Sequence, residues 1–258
     1  MSVHPMKKLF IIAALTIATA SGLLAKEPSV LVYTRNYTPD GKGYVHDNIA
    51  TGVAMLKQLG AENGFAVDAT EDPAVFTDAN LANYAALIFA NSNNEAFATD
   101  AQRAAFERYI HGGGGFVGIH SASGSERAWP FYWATVGGKF KRHPPIQPFD
   151  VEVLETAHPA AAHLNAVWRW EDEFYYHDNL NPRARVILAG RLTGLNDPKL
   201  AEYPGAVFGE LFPLAWCFEE HGGRRFYTAL GHKIEYYADA NFRRHVLGGV
   251  LWVLRVKD

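Results

Sequence analysis

The stretch from Phe106 to Gly124, FERYIHGGGGFVGIHSASG, constrains this chain more than any other part of it. An amphipathic helix pattern runs into four glycines, Gly112 to Gly115. Glycine at a helix end supplies the left-handed backbone that other residues resist. The apolar run Phe116-Val117-Gly118-Ile119 follows, too short for a helix and suited to a strand buried on both faces. It stops at His120-Ser121-Ala122-Ser123-Gly124, where small residues permit a sharp turn. That turn sets His120 at the carboxyl end of a central strand, the end at which open α/β sheets bind ligands. A nucleophile elbow would carry Ser or Cys at this place.

Upstream, strands and helices alternate. Ser29 to Tyr33 and Phe65 to Ala69 read as strands, with a helix from His46 to about Asn63 between them. Phe76 to Leu81 is a short helix or turn, and Ala85 to Ala90 is a third strand. Thr99 is a good N-cap with Gln102 at the capping-box position, for a helix reaching His111. Such alternation predicts a parallel sheet with right-handed crossovers. The second half is less regular. Trp129 to Val136 reads as a helix lying over the site. Phe149 to Leu154, Val186 to Ala189, Ala206 to Phe208, Leu214 to Phe218 and Arg225 to Leu230 read as strands, and Phe242 to Leu254 as a last helix.

With 258 residues and 48% apolar content the chain can bury one sizeable core. Its net charge of -3 lacks the basic footprint of a nucleic-acid binder. Lys7 and Lys8, the apolar run Leu9 to Ala20 and Ala18-Thr19-Ala20 form a leader pattern, with cleavage also plausible after Ala25. Residues 1–25 are therefore expected to be a signal peptide, and 26–258 one exported domain, periplasmic or secreted, with no membrane attachment once the leader is removed. Cys217 is the only cysteine and lies in an apolar run, so it is expected to pack rather than react.

Five places concentrate chemistry: His46, His120, His143, the group Asp172-Glu173 with Tyr175 and His177, and His232 after Leu230-Gly231. Three of these histidines fall at predicted strand ends or just beyond them. Imidazoles with a carboxylate suit either of two mechanisms. They can hold a metal, Zn²⁺ being the natural candidate with His46, His120 and His232 as ligands, or they can work metal-free as acid and base. No HExxH or other closely spaced pair favours the metal. Aromatic residues are 13% of the chain, and Trp129 and Trp216 are candidates for stacking on a sugar. No G-x-S-x-G, P-loop or GxGxxG between strand and helix is present.

Several separated motifs in order resemble the ThuA-like family, named for trehalose utilisation. They are His46-Asp47-Asn48-Ile49, Leu81 to Ala90, Thr99 to Arg103, GGGGFVGIHSAS and Gly137-Gly138-Lys139-Phe140 before His143-Pro144. His158-Pro159, Asp172-Glu173-Phe174-Tyr175, Pro213 to Trp216 and GRRFYTALGH at Gly223 to His232 complete the set. The resemblance implies a flavodoxin-like fold, the three-layer α/β sandwich of class I glutamine amidotransferases, with a mainly parallel sheet. Amidotransferases carry a nucleophilic Cys where this chain has His120, so amidotransferase chemistry is not expected. The implied substrates are trehalose-type sugars or their 3-keto derivatives, cleaved or isomerised by hydrolase or lyase chemistry. On this reading His120 and His232 face the reacting carbons, Asp172 or Glu173 is base or orienter, and Tyr175 donates a proton. His46 and His143 bind substrate or metal. The competing reading is a non-catalytic sugar-binding module working beside a sugar dehydrogenase. The partner is a small carbohydrate either way, and self-association is left open.

Overall fold

The computed structural model describes residues 27–200 and 209–258, together with Met1. The leader pattern and the expected strand Ala206 to Phe208 lie outside the described residues. In the first half, β1 (Ser29–Tyr33), β2 (Asn36–Tyr37), α1 (Ile49–Asn63), β3 (Ala66–Thr70), α2 (Asp78–Leu81), β4 (Ala86–Ala90), β5 (Asn93–Asn94), α3 (Asp100–His111) and β6 (Gly115–Ile119) follow one another. The second half contains α4 (Pro130–Val136), β7 (Lys139–Arg142), β8 (Gln147–Val153), β9 (Val167–Asp172), β10 (Tyr176–Asp178), β11 (Arg185–Arg191), β12 (Leu211–Glu220), β13 (Gly223–Thr228) and α5 (Ala240–Val253).

Nine strands form the main sheet, in the order β3-β1-β4-β6-β13-β12-β11-β8-β9. The five from β3 to β13 run parallel, and the other four continue antiparallel. Sequence pattern follows this division. Every residue of β4 and β6 is buried, because helices cover both faces there. β9 instead alternates exposed and buried residues, as expected of a sheet with one wet face.

One face of the parallel half carries an aromatic layer in which Phe89, Phe106, Phe116 and Tyr132 meet at ring separations of 5.3–6.2 Å. α3 and α4 supply Phe106 and Tyr132. α1 and α5 cover the opposite face. The capping box on α3 forms as the sequence predicts, with Thr99 accepting from the Gln102 amide. Its far end differs from expectation. Gly112 caps α3 with φ -73, and the left-handed residue is Gly113, at φ +88. α4 also departs from its expected place. It packs on the sheet, with Tyr132 donating to the Ala122 carbonyl, and does not cover the site.

The antiparallel half curls. Register shifts between β11 and β12 at Val186/Leu188 and Leu188/Ala189 mark irregularities of the kind that bend a strand pair. The edge strand β9 thereby returns toward the carboxyl ends of the parallel strands, and Trp170 packs on Tyr236, just before α5, and on Phe242 in its first turn.

α5 approaches its neighbours closely at Gly248, where an added Cβ would lie 2.2 Å from the Pro159 carbonyl oxygen. Alanine favours a helix over glycine by about 0.5–1 kcal/mol, whereas overpacking against rigid backbone costs about 1–3 kcal/mol. Gly248→Ala is therefore expected to be net destabilising in urea unfolding, and an unchanged or raised midpoint would contradict this packing.

Candidate active site

Three chain segments from the parallel half end in one hollow. β6 leads into His120, β13 into Gly231-His232, and the loop between β2 and α1 carries His46. The curled half adds Glu173 and Tyr175 just past β9, and His143 just past β7. The hollow encloses about 390 Å³ and is lined by Tyr44, His46, Asn93, Ser121, Gly124, Arg127, Phe140, His143, Glu173, Tyr175 and His232.

His120 lies beneath this hollow, fully buried, with a left-handed φ of +51. A non-glycine residue in that region costs roughly 1–2 kcal/mol, offset here by the bonds its ring and carbonyl make. Its Nδ1 lies 2.7 Å from the Ala229 carbonyl oxygen, which can only accept, so Nδ1 carries the proton and Nε2 presents a lone pair. Around Nε2 sit Tyr175 Oη at 3.0 Å, His46 Nε2 at 3.1 Å, His232 Nδ1 at 3.4 Å and Glu173 Oε2 at 3.5 Å. Tyr227 donates to the His120 carbonyl at 2.8 Å, and His177 Nε2 lies 3.1 Å from the same hydroxyl. Burial pushes His177 down to about 3, so it is a neutral prop behind the site.

His46 is oriented by Ser121, whose Oγ lies 3.2 Å from its Nδ1. Burial, reinforced by His120 and His232 nearby, pushes His46 down to about 3 and keeps it neutral. For His232, burial acts downward, but the hydrogen bond and charge of Glu173 outweigh it and raise the net value. Glu173 shows the reciprocal effect. Burial would raise its carboxyl, yet His120 and His232 beside it hold it below the usual carboxylate range. Its Oε2 lies 3.1 Å from His232 Nδ1, and its Oε1 lies 3.3 Å from His143 Nε2. Tyr175 is raised well above the ordinary phenol value by burial and by Glu173, so it keeps its proton. His46, His120, Glu173 and His232 each offer one donor atom, and those four atoms lie within 4.8 Å of one another. They are the group that could hold a metal.

Five of the residues expected to act together are thus adjacent: His46, His120, Glu173, Tyr175 and His232. His143 joins them through Glu173. Four expectations need correction. His120, expected to face the reacting carbons, is fully buried beneath the hollow and does not line it. Asp172 does not face the hollow. It is fully buried, and its two oxygens accept from the amides of Glu173, Gly231 and His232 and from the Trp170 indole. Trp216 is 1% exposed and donates to the Val136 carbonyl, while its ring packs on Tyr227 in the core. Trp129 packs on Phe97, Phe106 and Phe131, away from the hollow. Both indoles serve the aromatic layer that the large sheet must bury.

Tyr44, Asn93, Arg127 and Phe140 line the hollow without having been expected there. Arg127 lies at the rim, over the Phe140 ring at 5.2 Å, and donates to Asn93 Oδ1 at 3.2 Å. No local signal marked it, since a lone cation in a polar loop reads as a solvated residue. Asn48 joins the His46 segment to the His232 segment by donating to the carbonyls of Gly231 and His232 at 2.7 and 2.6 Å.

Replacing Asp172 by Asn keeps the shape but presents an amide NH₂ to two of the four N–H donors. Leaving two buried donors without acceptors at about 1–3 kcal/mol each predicts that Asp172→Asn loses roughly 3 kcal/mol in denaturant unfolding. A variant as stable as the parent would show that this carboxylate anchors nothing.

A family model described as ThuA, trehalose utilisation, matches residues 29–253. No curated protein matches the sequence. Among solved structures, a ThuA-like protein from Bacteroides uniformis is similar at 26% identity and a TM-score of 0.65, over 89% of this chain and 93% of that one. A second, from Parabacteroides merdae, is similar in fold at 17% identity and a TM-score of 0.68, over 90% and 91%. A sheet whose curled half closes over the strand-end histidines, together with a family match spanning nearly all of the described residues, places this chain in the ThuA, trehalose utilisation, family.

Proposed function

We propose that this protein cleaves an oxidised disaccharide, a 3-keto derivative of a trehalose-type sugar, by proton abstraction and β-elimination. The observation that carries the reading is the largely buried carboxylate of Glu173, which lines the hollow among three imidazoles and a phenol, beside other polar groups and rings. A carbonyl at C3 acidifies the C2–H bond. Glu173 takes that proton with Oε1, since it is held ionised, faces the hollow and turns only Oε2 toward His120 and His232. The electron pair moves onto the C3 oxygen, where His232, raised by Glu173, can donate to the developing charge. As the C1=C2 bond forms, the C1–O bond breaks and the leaving oxygen takes a proton from Tyr175. His120, beneath the hollow, positions Tyr175, Glu173 and His46 and does not touch the sugar.

The leader pattern in residues 1–25 suggests that this chemistry occurs after export. The reaction that must supply the substrate is oxidation of a glycoside at C3 by a dehydrogenase. Purified protein incubated with 3-keto-trehalose is expected to release free glucose and an unsaturated keto sugar, with unoxidised trehalose untouched. Glu173→Gln should lower the rate by about 10²–10⁴-fold while leaving binding of the keto sugar within tenfold. Binding of 3-keto-trehalose with no loss of substrate would overturn the catalytic reading in favour of a sugar-binding module.

A further inference from the structure

We infer that His46, His120, Glu173 and His232 form a binding site for one divalent transition-metal ion of the zinc type. The inference deepens the proposed function and rests on the same hollow being the working site.

The donor geometry carries it. An ion held at about 2.0–2.1 Å by four tetrahedral donors sets those donors roughly 3.3 Å apart. His46 Nε2 and His120 Nε2 are 3.1 Å apart, His120 Nε2 and His232 Nδ1 3.4 Å, His120 Nε2 and Glu173 Oε2 3.5 Å, and His232 Nδ1 and Glu173 Oε2 3.1 Å. The same four atoms span at most 4.8 Å in any pairing. Three imidazoles and one carboxylate favour zinc and its neighbours over calcium or magnesium, which take oxygen ligands.

The groups behind the ligands also fit. Metal-bound histidines donate their other ring nitrogen to a carbonyl, carboxylate or hydroxyl. His120 Nδ1 does so to Ala229, and His46 Nδ1 faces the Ser121 hydroxyl, which rotates to donate or accept. Glu173 uses one oxygen toward the cluster and turns the other to His143. His232 is fixed through its backbone, its amide on Asp172 and its carbonyl on Asn48. Three of the four ligands line the hollow, so a bound ion would meet substrate there.

The test uses the purified full chain, stripped with a chelator and titrated separately with Zn²⁺ and Co²⁺. One equivalent of each should bind, and the cobalt form should show the intense visible absorption of a four-coordinate ion. Glu173→Gln and His46→Gln should each weaken Zn²⁺ binding by about 100-fold or more, beyond the usual loss for an outer partner, and should weaken the cobalt bands. Circular dichroism establishes that each variant is folded. His163→Gln, away from the hollow, should bind as the parent does. Absence of stoichiometric binding, or variants that bind like the parent, would overturn the site, as would equal loss in His163→Gln. Metal binding without turnover of 3-keto-trehalose would retire the sugar chemistry alone. Turnover by stripped protein that binds no metal would retire the metal alone.

Discussion

The buried carboxylate of Asp172 is the interaction on which the hollow depends. A charged group taken out of water carries a penalty of several kcal/mol, and only charge-assisted hydrogen bonds of good geometry offset it. Here four N–H groups converge on two oxygens. One comes from β9 itself, one from the residue that follows it, and two from the turn beyond β13. The edge of the antiparallel half is thereby tied to the end of the parallel half. The desolvated charge makes this tie specific, since any drift would leave a buried anion unpaired.

Two neighbouring acids consequently do different work. Asp172 points inward and spends its lone pairs on backbone. Glu173, one residue on, emerges from the strand end and meets imidazoles. Burial pushes Asp172 upward, whereas the adjacent His120 and His232 overcome burial at Glu173. Alternation along an extended chain separates adjacent side chains to opposite sides, and here it separates an anchor from a reactive group. His120 makes a similar point about backbone. Its left-handed conformation turns the chain sharply while its ring and carbonyl are both held by the last strand of the parallel set, through Ala229 and Tyr227.

The parallel half was readable because its signals are local. Apolar runs such as Ala86 to Ala90, the Thr99–Gln102 capping box and the abrupt stop at His120 each require only neighbouring residues to interpret. Convergence of His46, His120 and His232 followed from one rule about strand ends. The curl was not readable, because it arises from register shifts between β11 and β12 and from a contact between residues 172 and 231–232 that no local pattern announces. For the same reason Asp172 and Glu173 could not be told apart. Trp129 and Trp216 were misplaced because an indole that stacks on a sugar and one that fills a core look alike in sequence. Arg127 is a single cation in a polar loop, and only the fold brings it to the rim.

The edge position of β9 has a kinetic consequence. Glu173 and Tyr175 reach the histidines only when the end of β9 is tied to the turn beyond β13, 59 to 60 residues further along the chain. Contacts of such long sequence separation form late in folding, because loop-closure entropy must be met first. The hollow is therefore complete only once both halves of the sheet have met, and it is lost when the antiparallel edge loosens. Occupancy of the hollow consequently reports on sheet closure many residues away, and a ligand held there would stabilise the closed molecule by mass action.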